Sequence, residues 1–159
     1  MREYLPVDFH CHSTYSDGSY PVKEVLDMAK ANGGKYIALT DHDTINGIKE
    51  AREYAKKIGL TFFAGVEISV TWGNNNLIHI LGLNIDENNQ NLVIKLNELR
   101  SHRFQRGQKI AANLAKAGIP DAFEGAMKYC SNIEALSRTH FLRFLVDSGY
   151  AKQSNAFEK

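Results

Sequence analysis

Cysteine is scarce. The 159 residues hold only Cys11 and Cys130, at no motif spacing. That argues against a disulfide framework and suggests a reducing, cytoplasmic setting. Both thiols are expected to pack rather than react. Long apolar runs are also missing. None approaches the roughly 18 residues that span a bilayer, so no membrane partner is expected. The opening Met1-Arg2-Glu3-Tyr4-Leu5-Pro6 lacks the apolar core of a signal peptide. Internal repeats and low-complexity segments are absent. Net charge is only +1, but it is unevenly spread. Residues 1–90 carry 8 Lys/Arg against 12 Asp/Glu, and residues 91–159 carry 11 against 6. An acidic first part suits cations and a basic second part suits an anionic partner.

What is present is a chain long enough for one domain with a real core, and 43% hydrophobic. The stretch Asp8-Phe9-His10-Cys11-His12-Ser13-Thr14-Tyr15-Ser16-Asp17-Gly18 organises it. Val7 and Phe9 bracket Asp8, which reads as a short buried strand. Side chains two apart on a strand share a face, so His10 and His12 point one way and Cys11 the other. Two imidazoles so placed can hold one metal ion. Ser16-Asp17-Gly18 turns the chain and brings a carboxylate near them. For such a pair alone, half-buried hydrogen-bonded histidines are an equally good reading; the later residues decide between the two.

Pro21 to Asn32 reads as a helix, with Val22, Val25, Leu26 and Ala29 on one face. Tyr36 to Thr40 is a buried strand ending in Thr40-Asp41-His42-Asp43-Thr44. Asp43 or Thr44 is expected to cap a helix that runs to Ile58 and stops at Gly59. Thr61 to Val70 is a third strand containing Gly65-Val66-Glu67, and Leu77 to Leu83 a fourth with His79 at its centre. The alternation implies a parallel α/β sheet. Trp72 to Asn76 is a turn or loop; the third and fourth strands either form a hairpin across it or are joined by a longer connection. Polar residues 88–91 read as a junction. Leu92 to Ala117 is a long amphipathic helix with a break expected near Gly107. Shorter helices follow at 123–130 and 139–148. The expected division is 1–87, carrying the strands, and 88–159, a helical insertion.

His10, His12, His42, Glu67 and His79 all fall on or just past strands, where side chains of a parallel sheet or barrel face a common cavity. Four of the six histidines, with Glu67 and Asp17, would converge there. Imidazole with carboxylate suits divalent Zn, Mn or Fe. Arg100, Arg103, Arg106 and Lys109 recur along one side of the long helix, as either a solvated face or a phosphate-binding row. His102 reads as surface. Phe104, Phe123, Phe141 and Phe144 read as core.

These motifs, with Leu39-Thr40-Asp41-His42-Asp43 and His79-Ile80-Leu81-Gly82, resemble the PHP (polymerase and histidinol phosphatase) family of metal-dependent phosphoesterases. Arg103, Arg106 and Ser137-Arg138-Thr139-His140-Phe141 are similar to the branch of nucleoside 3′,5′-bisphosphate phosphatases and the 5′→3′ exoribonuclease RNase AM. The resemblance implies a distorted (β/α)7 barrel with an α-helical insertion and up to three divalent ions in the complete enzyme. His10, His12 and Glu67 would hold the first ion. Glu67 would bridge to a second, held also by His79; Asp17 and His42 would hold a third. Asp8 and Asp41 would orient imidazoles. Arg103, Arg106, Arg138 and His140 would contact substrate phosphate, with a helix-start hydrogen bond as the other reading of His140. The implied reaction is hydrolysis of nucleotide or RNA 5′-end phosphate esters by a metal-activated water, with no Ser or Cys nucleophile. The family's later His-Pro and Asp-x-His motifs do not occur, so the chain is expected to carry only the first four strands of an incomplete barrel, with the C-terminal half missing. A truncated module that binds metal or nucleic acid without catalysis is the competing expectation.

Overall fold

The computed structural model describes residues 6–73, 76–131 and 133–152. It divides into two compact units, Met1–Leu99 and Arg100–Lys159. The first contains β1 (Val7–Cys11), α1 (Val22–Ala31), β2 (Tyr36–Leu39), α2 (Ile48–Ile58), β3 (Thr61–Trp72) and β4 (Asn76–Leu83). The strands form one four-stranded sheet in the order β1-β2-β3-β4. The pairs β1–β2 and β2–β3 are parallel, as a helical crossover requires. The last pair is an antiparallel hairpin, Gly65 opposite Leu83 through Trp72 opposite Asn76. A short turn cannot return a strand parallel to its neighbour.

One apolar layer joins the sheet to its helices. Val22 and Leu26 of α1 and Ile48, Ala51 and Ala55 of α2 pack on Ile37, Leu39, Leu60 and Ala64. Ile37 and Leu39 are two apart and face the helices together. Ala38 between them is equally buried, so β2 is covered on both faces. That explains its uninterrupted apolar sequence.

Several expectations change at the edges. β1 is not a buried strand: it is the sheet's outer strand, with Val7 and Asp8 exposed and Phe9 half-buried, its ring 5.4 Å from that of Phe63. At the other edge β4 leaves Leu77, Ile78, Ile80, Leu81 and Leu83 exposed. Neither Asp43 nor Thr44 caps α2, whose first turn begins after Gly47 without a side-chain cap. Asp43 is drawn elsewhere: it is buried, adopts a left-handed backbone (φ 53°) and accepts a hydrogen bond from the Ser69 N–H at 2.7 Å. The Thr44 hydroxyl accepts from the Asn46 N–H instead.

The helix α3 spans Gln90–Lys116 and continues unbroken through Gly107. Gly107 serves packing rather than bending, since a Cβ there would run into Leu136. The second unit holds the rest of α3, α4 (Ala122–Met127), a 3-10 turn (Ile133–Ala135) and α5 (Arg138–Asp147). Its core is Ala122, Ala126, Leu136 and Phe141, flanked by Ile110, Ala111, Leu114, Phe123 and Phe144. The rings of Phe104 and Phe123 meet edge-to-face at 5.9 Å, as aromatic pairs in a core prefer.

Candidate metal centre

The strand lengths set the site. β3 pairs with β2 only from Thr61 to Ala64, then runs on past the end of β2. Glu67 thereby reaches the level of His42, and the two residues form an isolated parallel bridge. Glu67 N–H donates to the Asp41 carbonyl at 3.2 Å, and Asp43 N–H to the Glu67 carbonyl at 2.9 Å. The hairpin sets His79 opposite Ser69, two residues beyond Glu67. β1 carries His10 just before its last residue, Cys11, and His12 follows just past its end.

Glu67 is the hub. Its Oε2 lies 2.8 Å from His10 Nε2, 3.1 Å from His12 Nε2 and 3.7 Å from His42 Nδ1. Its Oε1 lies 3.0 Å from His79 Nδ1. The rings crowd one another: His12 and His42 stack at 4.7 Å, and His10–His12 and His42–His79 lie at 5.2 and 4.8 Å. Burial pushes the Glu67 carboxyl up, but the His10 hydrogen bond and the fields of His42, His12 and His10 more than offset it, leaving it below the ordinary carboxylate range.

Asp17 faces the other nitrogens. Its Oδ1 is 3.9 Å from His12 Nδ1 and its Oδ2 3.8 Å from His42 Nε2. The turn that presents it folds tightly over His12: Ser16 and Gly18 N–H groups both donate to the Ser13 carbonyl at 3.0 Å. A Cβ at Gly18 would strike the His12 carbonyl oxygen, so the turn needs a residue without one.

Three triads follow: His10/His12/Glu67, His12/Asp17/His42 and His42/Glu67/His79, each with ligand atoms within 4.8 Å of one another. Donors about 2.1 Å from a shared tetrahedral ion sit about 3.4 Å apart, so these spacings suit coordination. His12 Nδ1 is buried and has no hydrogen-bond partner among the described residues. An orphaned imidazole nitrogen aimed at a carboxylate 3.9 Å away fits a cation between them. The cluster can therefore hold metal. A neutral imidazole offers one lone pair, so His12 serves either the Glu67 side through Nε2 or the Asp17 side through Nδ1, whereas Glu67 has two oxygens directed at different rings.

The two aspartates expected to orient imidazoles do something else. Asp8 is exposed and accepts from the His10 backbone N–H at 3.2 Å. Asp41 is buried and accepts from Ser13 N–H (2.7 Å), Ser13 Oγ (2.7 Å) and Ser16 Oγ (2.6 Å). Burial raises its carboxyl above the ordinary value, and the Ser16 and Ser13 bonds only partly counter this. Ser13, Ser16 and Asp43, all buried, were missed as site residues; polar side chains flanking the candidate ligands were the available signal.

The expected phosphate contacts lie in the second unit. Arg106 and Arg138 are exposed and His102 is surface, as expected, while Arg103 is 9% exposed. His140 is buried, and its Nδ1 accepts from the Ser137 N–H at 3.0 Å, closing the capping box of α5. The helix-start hydrogen bond weighed for His140 is thus present. Cys11 faces away from the histidines, its Sγ donating to the Ala38 carbonyl at 3.2 Å. Burial, then the charges of Asp8 and Asp41, push its thiol up to about 12.

Comparison with known proteins agrees with this geometry. Residues 8–156 match the PHP domain model. The chain is 45% identical over 146 residues to a 3′,5′-nucleoside bisphosphate phosphatase of Chromobacterium violaceum, covering 92% of this chain and 51% of that protein. It is 41% identical over 155 residues to the 5′-3′ exoribonuclease Rnm of Escherichia coli, covering 96% of this chain and 52% of the relative. Among solved structures, a Chromobacterium violaceum protein described as an amidohydrolase, with bound sulfate and no metal, superposes with a TM-score of 0.90 at 45% identity, covering 92% of this chain and 51% of that one. A Bifidobacterium adolescentis protein assigned as a metal-dependent phosphoesterase gives 0.85 at 27% identity, covering 95% and 53%. The chain spans about half the length of the curated relatives it matches. The sheet and helices are those of a partial PHP barrel. A family model matched over nearly all of its length places the chain in the PHP domain family.

Proposed function

We propose that this chain is the metal-binding part of a phosphoesterase that hydrolyses nucleotide 3′,5′-bisphosphates or RNA 5′-end phosphates. The observation that carries the reading is the convergence of four imidazoles and two carboxylates, from four separate stretches of chain, around Glu67. His10, His12 and Glu67 would hold one ion, Glu67 and His79 a second, Asp17 and His42 a third. Mn, Zn and Fe all suit this donor set. Bound there, such ions supply Lewis acidity towards phosphate oxygens and lower the pKa of coordinated water to roughly 7. Glu67 would offer one oxygen to each of two ions. Asp17 adds the negative charge that His42 lacks. Cys11, half-buried and protonated, takes no part.

The relatives named as a bisphosphate phosphatase and an exoribonuclease support the substrate class. Sulfate, a tetrahedral oxyanion like phosphate, in the Chromobacterium violaceum structure is consistent with it. Residues 88–159 would be an insertion into the barrel. Exposed Arg106 and Arg138 suit phosphate contact better than Arg103 and His140, which are buried. Exposed apolar side chains along β4 support further barrel strands from outside these residues. No helix among the described residues is long and apolar enough to cross a membrane. Cysteines outside any disulfide among the described residues accord with a cytoplasmic setting.

The test is phosphate release from a nucleoside 3′,5′-bisphosphate and nucleotide release from 5′-phosphorylated RNA by the Mn-loaded chain. Release that chelator and Glu67→Gln both abolish is expected. Loaded protein that releases nothing from either substrate contradicts hydrolysis by this chain.

A further inference from the structure

The tripeptide Asp41-His42-Asp43 carries one candidate ligand between two buried carboxylates, and neither carboxylate is itself a candidate ligand. Each reaches a different ligand-bearing segment. Asp41 takes three hydrogen bonds of 2.6–2.7 Å from Ser13 and Ser16. Ser13 follows His12, and Ser16 precedes Asp17. Asp43 takes a 2.7 Å bond from the Ser69 N–H on β3, and Ser69 stands opposite His79.

We infer that Asp41 is a positioning residue for the Asp17/His42 ion subsite, and that Asp43 plays the matching part for the Glu67/His79 subsite. The bonds to Asp41 are buried and short. They fix the turn 13–18 to the end of β2, and so fix the gap between Asp17 and His42, now 3.8 Å. The turn's own backbone bonds and the Thr14 N–H to Tyr20 carbonyl bond do not refer it to His42, and the Tyr15 hydroxyl reaches Glu50 on α2 instead. Asp43, in a left-handed conformation, ties the segment after β2 to the hairpin at Ser69. His42 thus stands between two independently anchored segments. The consequence is separability: loosening one anchor should degrade one subsite and spare the other.

The inference rests on the metal reading above, and the experiment tells the two apart. Mn(II) binding is measured by calorimetry and electron paramagnetic resonance for the chain, Asp41→Ala, Asp41→Asn, the pair Ser13→Ala/Ser16→Ala, and Asp43→Asn. Outer partners of metal ligands are worth roughly 10–100-fold in affinity. Asp41→Ala should weaken one ion by about that factor and leave the others within about threefold. Asp41→Asn keeps an oxygen for the Ser13 N–H and Ser16 hydroxyl, so it should lie between. The double serine variant leaves Asp41 in place and should reproduce Asp41→Ala, which keeps the test alive if Asp41→Ala fails to fold. Asp43→Asn should weaken a different ion. Amide exchange in the metal-free proteins adds a readout that needs no ion: protection at Ser16 and Gly18 should fall in the Asp41 and serine variants while that at Ser69 persists. Unchanged affinities, or an equal loss of every ion in a folded variant, overturns the inference. A parent chain that takes up no Mn(II) overturns the metal reading, and this inference with it.

Discussion

Replacing Glu67 by Gln tests the hub directly. Its two oxygens serve rings that belong to different triads, whereas Asp17 enters only one. Loss of an outer partner costs a metal site up to about 100-fold, and loss of a direct anionic ligand costs at least that. At about 1.4 kcal/mol per factor of ten, each affected ion should lose at least about 2.7 kcal/mol. Glu67→Gln should therefore weaken two ions by ~100-fold or more, and Asp17→Asn only one, in calorimetric titrations with Mn(II). The metal-free protein gives a second reading. The Glu67 carboxyl sits below its ordinary value of 4.5, so its ion pairing stabilises the fold above that pH and the contribution is lost as the pH falls through the depressed value. The His10 side chain is 54% exposed, so screening holds this to about 1 kcal/mol at neutral pH. Urea midpoints of the variant and parent should differ near pH 7 and converge as the pH falls through the depressed value. Identical ion losses for the Glu67 and Asp17 variants would refute the bridging assignment.

Three further outcomes are expected. Cys11 should resist alkylation by iodoacetamide at pH 8 until denaturant is added; its raised thiol pKa leaves stability untouched below pH 9 and erodes it only as the unfolded thiol ionises above 9.0. Metal occupancy should fall between pH 7.5 and pH 5, because protons compete with the metal for imidazole nitrogens; occupancy that stays constant in equilibrium dialysis would contradict histidine ligation. Gly107→Ala gains helix propensity but drives a methyl into Leu136, so it should lower stability by about 1–3 kcal/mol in urea unfolding; a stabilised variant would show that the packing there is loose.

The candidate ligands were legible because each stands at or beyond a strand whose apolar sequence announces it. His10 and His12 follow Val7 and Phe9, His42 follows Ile37 to Leu39, and His79 sits amid Leu77 to Leu83. The helices α1 and α2 were legible from their apolar spacing and from Gly59 at the exit of α2. What stayed hidden depended on distant partners. Asp43 has the composition of a helix cap, but its carboxylate bonds the Ser69 N–H, 26 residues away. Asp41 reads as a carboxylate for an imidazole, yet Ser13 and Ser16 take it first. The segment around Asp8 reads as a buried strand, and only the strand order places β1 at an edge. Gly107 reads as a break because propensity is local, whereas its contact with Leu136 lies 29 residues ahead.

The central claim is that one carboxylate and the rings around it hold shared cations. Anomalous difference maps from crystals grown with Mn(II) or Zn(II) test it most directly. The account predicts peaks beside Glu67, with His10, His12, His42, His79 and Asp17 as the other protein ligands. Maps with no peak among these six residues, from protein that binds the metal in solution, would contradict it.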